Sequence, residues 1–119
     1  MRTQVIQVPY DSGHRDYRMG LGPKHILRHL EAGAGLPVDQ VAVDDRVARE
    51  VGTSFAVARQ IAEKVGHVMS RREFPLVLAG NRISCVGTLG GLGMAPPAMI
   101  CLDAHGDFNT PETTISGFL

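Results

Sequence analysis

Apolar positions along the chain switch between a period of two and a period of three to four. From Thr3 to Pro9 the order Thr-Gln-Val-Ile-Gln-Val-Pro predicts a short strand stopped by proline, with a turn at Asp11-Ser12-Gly13-His14. A helix follows. Gly22 caps it, Pro23 fills its first turn, Ile26, Leu27 and Leu30 form one apolar face, and Gly33 and Gly35 stop it. Gln40 to Asp44 predicts a second strand with Val41 and Val43 on one side. The longest helix is expected from Ser54 to Arg72. There Phe55, Ala58, Ile61, Ala62, Val65, Val68 and Met69 gather on one stripe, Thr53 or Ser54 caps the start, and Arg71-Arg72 suits the negative end of the helix dipole.

Leu76-Val77-Leu78-Ala79-Gly80 has the unbroken apolar run of a strand covered on both faces. A short helix from Ile83 to Leu89 is then expected to end at Gly90-Gly91. After Pro96-Pro97 the run Ala98 to Asp103 predicts a further apolar strand, and Asn109 to Leu119 a loop. Strands alternating with helices give one three-layer α/β/α domain over residues 1–119 with a largely parallel sheet, whose ligands sit beyond the carboxyl ends of the strands.

Charge removes whole classes of partner. Twelve basic and 12 acidic side chains balance in 119 residues, so no surplus of Lys and Arg is available for nucleic acid. No stretch is apolar enough to span a membrane, and the first residues lack the pattern of a secretory signal, which makes the cytoplasm the expected compartment. Cys85 and Cys101 are expected to be free, buried thiols, and with four Phe, two Tyr and no Trp the core must be aliphatic.

Chemistry concentrates in Asp103-Ala104-His105-Gly106-Asp107. Side chains two apart on an extended segment point the same way, so Asp103, His105 and Asp107 can converge on a divalent ion. An ion held there would lower the pKa of its bound water towards ~7. A polar loop in which a carboxylate orients a histidine is the plainer alternative. Other clusters carry less. His25 and His29 read as exposed helix histidines and His67 as structural; Asp11 and His14 suit either a pocket rim or an ordinary turn. Gly87 to Gly93 lacks the order of a phosphate loop and reads as helix termination. A small NAD(P)-dependent oxidoreductase rests on the α/β pattern and these glycines alone.

The run from Asp103 to Gly117 resembles the metal and substrate loop of the arginase, or ureohydrolase, family, which includes agmatinase and formiminoglutamase. Gly20-Leu21-Gly22-Pro23 with Leu27-Arg28, and Leu76 to Gly80 followed by Ile83-Ser84 and Gly87-Thr88-Leu89, agree with it in order. The resemblance implies that Asp103, His105 and Asp107 are metal ligands, with Asp103 and Asp107 bridging in a two-manganese site. It implies that Asn109, Thr114 and Ser116 hold the α-carboxylate of a small amino-acid substrate, an arginase-like trio rather than an agmatinase-like one. The reaction it implies is hydrolysis of a guanidinium carbon, with His105 and Asp107 at the catalytic centre.

The resemblance departs at Ala79-Gly80-Asn81-Arg82, where the family reads Gly-Gly-Asp-His and the histidine binds metal. A guanidinium is always charged and donates only, so Arg82 cannot be a ligand. One ion, Mn²⁺ or Zn²⁺, is therefore expected instead of two. The family's catalytic histidine and its S-x-D-x-D ligands would follow Leu119, and the expectation is a weak or promiscuous metal-dependent hydrolase. The contrasting expectation is a non-catalytic module in which Arg82 neutralises the carboxylates. In the family, two later strands separate the Ala98 to Asp103 strand from the three before it, so bare sheet edges predict a homo-oligomer.

Overall fold

The computed structural model describes residues 1–44, 50–93, 98–103 and 112–113. β1 (Thr3–Val8) is the middle of a three-stranded parallel sheet, flanked by β4 (Val38–Gln40) and β5 (Phe74–Ala79). Between β1 and β4 come the two-residue strands β2 (Tyr10–Asp11) and β3 (His14–Arg15), a 3₁₀ turn at Arg18–Leu21 and helix α1 (Gly22–Ala34). Helix α2 (Glu50–Ser70) joins β4 to β5, and α3 (Ile83–Leu92) follows β5. Val5 lies opposite both Val38 and Leu76, and the ladder with β5 runs from Thr3↔Phe74 to Val8↔Ala79.

Alternation along β1 divides the core in two, because successive side chains leave opposite faces of a strand. Ile6 and Val8 point to α2, where they are buried with Tyr10, Val41, Val57, Ile61, Val65 and Val68, and Ile83 and Leu92 of α3 pack against this cluster. Val5 points the other way and meets Leu27 of α1 and Leu78 of β5, with Leu30, Leu36 and Leu76 half-buried around them. The result is α1, sheet, then α2 with α3, the three layers expected from the alternation of elements.

Local chemistry moves several boundaries. β4 lies at Val38–Gln40 instead of Gln40 to Asp44. Ladder bonds run from the Val5 N–H to the Pro37 oxygen and from the Val41 N–H to the Gln7 oxygen, both 2.9 Å. Past Val41 the side-chain amide of Gln60 takes over, accepting the Ala42 N–H at 3.0 Å and donating to the Ala42 oxygen at 2.9 Å. A helix side chain thus satisfies a backbone that a strand would otherwise need.

α2 starts at Glu50, whose acid suits the positive helix end, and Thr53 is buried within it. Ser54 does not cap; its hydroxyl donates back to the Val51 oxygen at 2.7 Å. Phe55 and Met69 are exposed, as is Ile26 on α1, so the apolar stripes are narrower than expected and Val57 belongs to the core instead. Arg71 lies beyond α2 and pairs with Glu73 at 2.8 Å. Gly35, in the left-handed region at φ 52°, ends α1 as expected, although the helix continues through Gly33.

Two expectations fail more deeply. Gly90 and Gly91 do not end the third helix but lie inside it, and Gly93 follows its last residue. A Cβ at Gly87 would sit 2.5 Å from the Ala58 oxygen, and one at Gly91 would sit 2.6 Å from the Ala62 oxygen. The glycines are there because α3 and α2 touch backbone to backbone. The run Ala98 to Asp103 forms no strand, and Cys101 within it is exposed rather than buried. Ile100 is 86% and Leu102 94% exposed. No described strand offers this run a ladder partner, and a strand exists only where a neighbour takes its N–H and C=O groups. Among the described residues no helix is long and apolar enough to cross a membrane.

Candidate functional site at the carboxyl edge of the sheet

β1 and β5 run parallel and end together at Val8 and Ala79, so the segments that follow them share one edge. Beyond β1, Pro9 leads into the β2–β3 hairpin, whose turn residues Ser12 and Gly13 have φ of 48° and 88°. Two consecutive positive φ values make the tight turn that matches strand twist, which Gly13 adopts without strain. Beyond β5, Gly80 lies against the backbone of Met19 and Gly20, too close for any Cβ. The 3₁₀ turn and the β5–α3 turn are therefore in direct backbone contact.

Asp11 occupies the centre of this edge and is buried. Its Oδ1 accepts the Ser12 hydroxyl at 3.0 Å and the Asn81 side-chain N–H at 3.3 Å. Its Oδ2 accepts the Met19 backbone N–H at 3.3 Å and lies 3.9 Å from Arg18 Nε. Asn81 in turn accepts the Ile83 N–H at 3.0 Å, satisfying a donor at the start of α3. Arg82 follows at the head of the helix, exposed. Next to Asp11, Tyr10 is buried and donates to the Glu50 oxygen at 3.4 Å. Burial pushes its phenol above the usual 10, and the nearby Glu50 and Asp11 charges add to this against hydrogen bonds that pull it down.

Of the residues expected to form the site, Asp103 is described and exposed; His105, Asp107, Asn109, Thr114 and Ser116 lie outside the described residues. Among the described residues no three His, Cys, Asp or Glu side chains gather around a common point. His25 and His29 are exposed, and His29 Nδ1 donates to the His25 backbone oxygen at 2.9 Å. His14 stacks edge-on against Tyr17 at 5.5 Å. Asp11 is the polar anchor that the sequence left undecided between rim and turn, and its link to Asn81 was not foreseen. One signal was available: each residue follows closely on an apolar strand, and in a parallel sheet such positions converge. At the opposite, amino end of the strands, β4 and the last turns of α2 flank an open groove of about 660 Å³. Its Lys64 is paired to Asp39 at 2.8 Å.

A family model described as the Arginase family matches residues 1–119. The arginase of Bacillus caldovelox is 43% identical over 95% of this chain and 44% of its own length. The arginase of Bacillus subtilis is 30% identical over 95% of this chain and 43% of its own length. The crystal structure of the Bacillus subtilis arginase superposes with a TM-score of 0.70 at 30% identity, covering 98% of this chain and 43% of that one. The chain therefore spans less than half the length of these relatives.

Proposed function

The chain belongs to the arginase family, and from that membership we propose that it carries part of the metal and substrate site of a hydrolase acting on a guanidinium-type carbon. The observation that supports the reading best is the Asp103-Ala104-His105-Gly106-Asp107 run within a chain that superposes on a solved arginase. Two carboxylates and an imidazole are the donor chemistry of a hard or borderline divalent ion, so Asp103, His105 and Asp107 would hold one Mn²⁺ or Zn²⁺. When bound, the ion supplies Lewis acidity and an activated water. Asp107 would orient that water, His105 would be the neutral nitrogen donor, and Asn109, Thr114 and Ser116 would hold the substrate's carboxylate.

Residue 82 sets the limit on that site. Arg82 stands at the head of α3, just beyond the carboxyl end of β5, where the family has a histidine. Its fixed charge takes the place of a ligand and opposes a second cation. The reading is therefore a one-ion site with slow hydrolysis. Titration of the purified chain with Mn²⁺, followed by calorimetry and elemental analysis, tests it. One ion per chain is expected, with affinity falling at least about tenfold in His105→Ala, the usual consequence of losing a ligand or its support. Urea release from arginine should fall with it. Absence of binding at millimolar Mn²⁺ and Zn²⁺ overturns the reading and leaves the second one, a non-catalytic module whose acidic loop Arg82 neutralises.

The exposed Met99, Ile100 and Leu102 further support self-association. Light scattering at micromolar concentration should give a multiple of 12.8 kDa; the monomer mass would refute it.

A further inference from the structure

Three segments meet on one buried carboxylate that no step of the proposed reaction uses. Asp11 is only 7% exposed. It binds its own hairpin through Ser12, the 3₁₀ turn through the Met19 N–H, and the β5–α3 turn through Asn81. We propose that Asp11 is a positioning residue which, through Asn81, fixes the β5–α3 turn and so sets where residue 82 stands at the carboxyl edge. The inference rests on reading that edge as the metal-bearing one.

The chemistry of Asn81 makes the tie directional. Its nitrogen donates to Asp11 at 3.3 Å while its oxygen accepts the Ile83 N–H at 3.0 Å. An amide does both at once, with separate donor and acceptor atoms. A carboxylate at 81 could keep Ile83 but would bring a second acceptor against Asp11, and two carboxylates at hydrogen-bond distance repel until one is protonated. The backbone adds to the constraint, since the Asn81 oxygen accepts the Ser84 hydroxyl at 2.8 Å and Gly80 is pressed against Met19 and Gly20. Asn81 and Arg82 also replace the family's Asp-His as adjacent residues, so the departure at the ligand position comes with a change in what holds it.

Exchanging the two partners tests the tie. Asp11→Asn and Asn81→Asp should each raise the hydrogen-exchange rate of the Ile83 amide roughly tenfold or more, as expected when a hydrogen bond to a charged group is lost, with much smaller changes at Ile6 and Val65. The double variant D11N/N81D restores one amide facing one carboxylate and should return Ile83 close to its parent rate. If the single variants leave Ile83 unchanged, if the double variant exchanges as fast as they do, or if all amides accelerate together, the proposal fails. A second readout uses Arg82→His, which puts a ligand back at 82. In that background Asp11→Asn should weaken Mn²⁺ binding and the exchanged pair D11N/N81D should recover it; Mn²⁺ affinity indifferent to the pair overturns the positioning role. No Mn²⁺ binding in Arg82→His despite rescue at Ile83 would instead overturn the functional reading and leave the tie standing.

Discussion

The two faces of the sheet are held in different ways. On the α2 and α3 face, eight buried residues form one cluster, and Gly87 and Gly91 let the two helices approach until backbone meets backbone. On the α1 face, three buried residues carry the contact and leucines at its margin stay half-exposed. Interiors pack at crystal-like density, so the denser face has less room to relax around a change. Helix α1 has the weaker hold, and the Asn81 turn at the carboxyl edge leads into α3 of the stronger layer.

Core truncations measure that contrast. Ile61→Ala, at a fully buried position of the larger cluster, should cost about 4 kcal/mol, near the upper part of the range for such changes. Gly87→Ala drives a Cβ to 2.5 Å from the Ala58 oxygen and should cost about 3 kcal/mol, although alanine favours helices. Leu27→Ala on the α1 face should cost about 2 kcal/mol because its surroundings can collapse inward. Urea midpoints read all three, and equal losses for Ile61→Ala and Leu27→Ala would erase the distinction between the faces.

The smallest effect concerns Tyr10, which joins the larger cluster to the edge. Its phenol is raised above 10 in the fold, so the native state keeps a proton that the unfolded chain releases. Stability should be flat up to about pH 10, the unfolded value, and then fall as pH rises towards the folded one. Tyr10→Phe should remove that fall while costing about 1 kcal/mol or less at pH 7, since the hydrogen bond it deletes is 3.4 Å long. Denaturation midpoints between pH 8 and 11 check both.

Layer order and sheet type were legible because continuous apolar runs such as Leu76 to Ala79 and the spacing of Ile61, Val65 and Val68 are local signals. The roles of Gly87 and Gly91 were not, since a residue without a side chain reads alike at a helix end and beneath another helix. What differs is the partner, Ala58 or Ala62, some 29 residues earlier. Ala98 to Asp103 shows the complementary failure: its pattern is that of a strand, but pairing is a property of two segments. At the site, the acidic run and the replacement at Arg82 stand in the sequence. The bond between Asp11 and Asn81 joins residues 70 apart and exists only because β1 and β5 are neighbours.

The central place of β1 also sets an order of events during synthesis. Its partner strands come later in the chain, and the ladder with β5 cannot close until residue 79 has been made. At 5–20 residues per second, the stretch from residue 9 to residue 79 takes roughly 4 to 14 s. Until β4 is made a nascent Val-Ile-Gln-Val segment has two unfilled edges, and the edge that takes β5 stays open for the whole interval, so whatever shields it on the ribosome bears on yield.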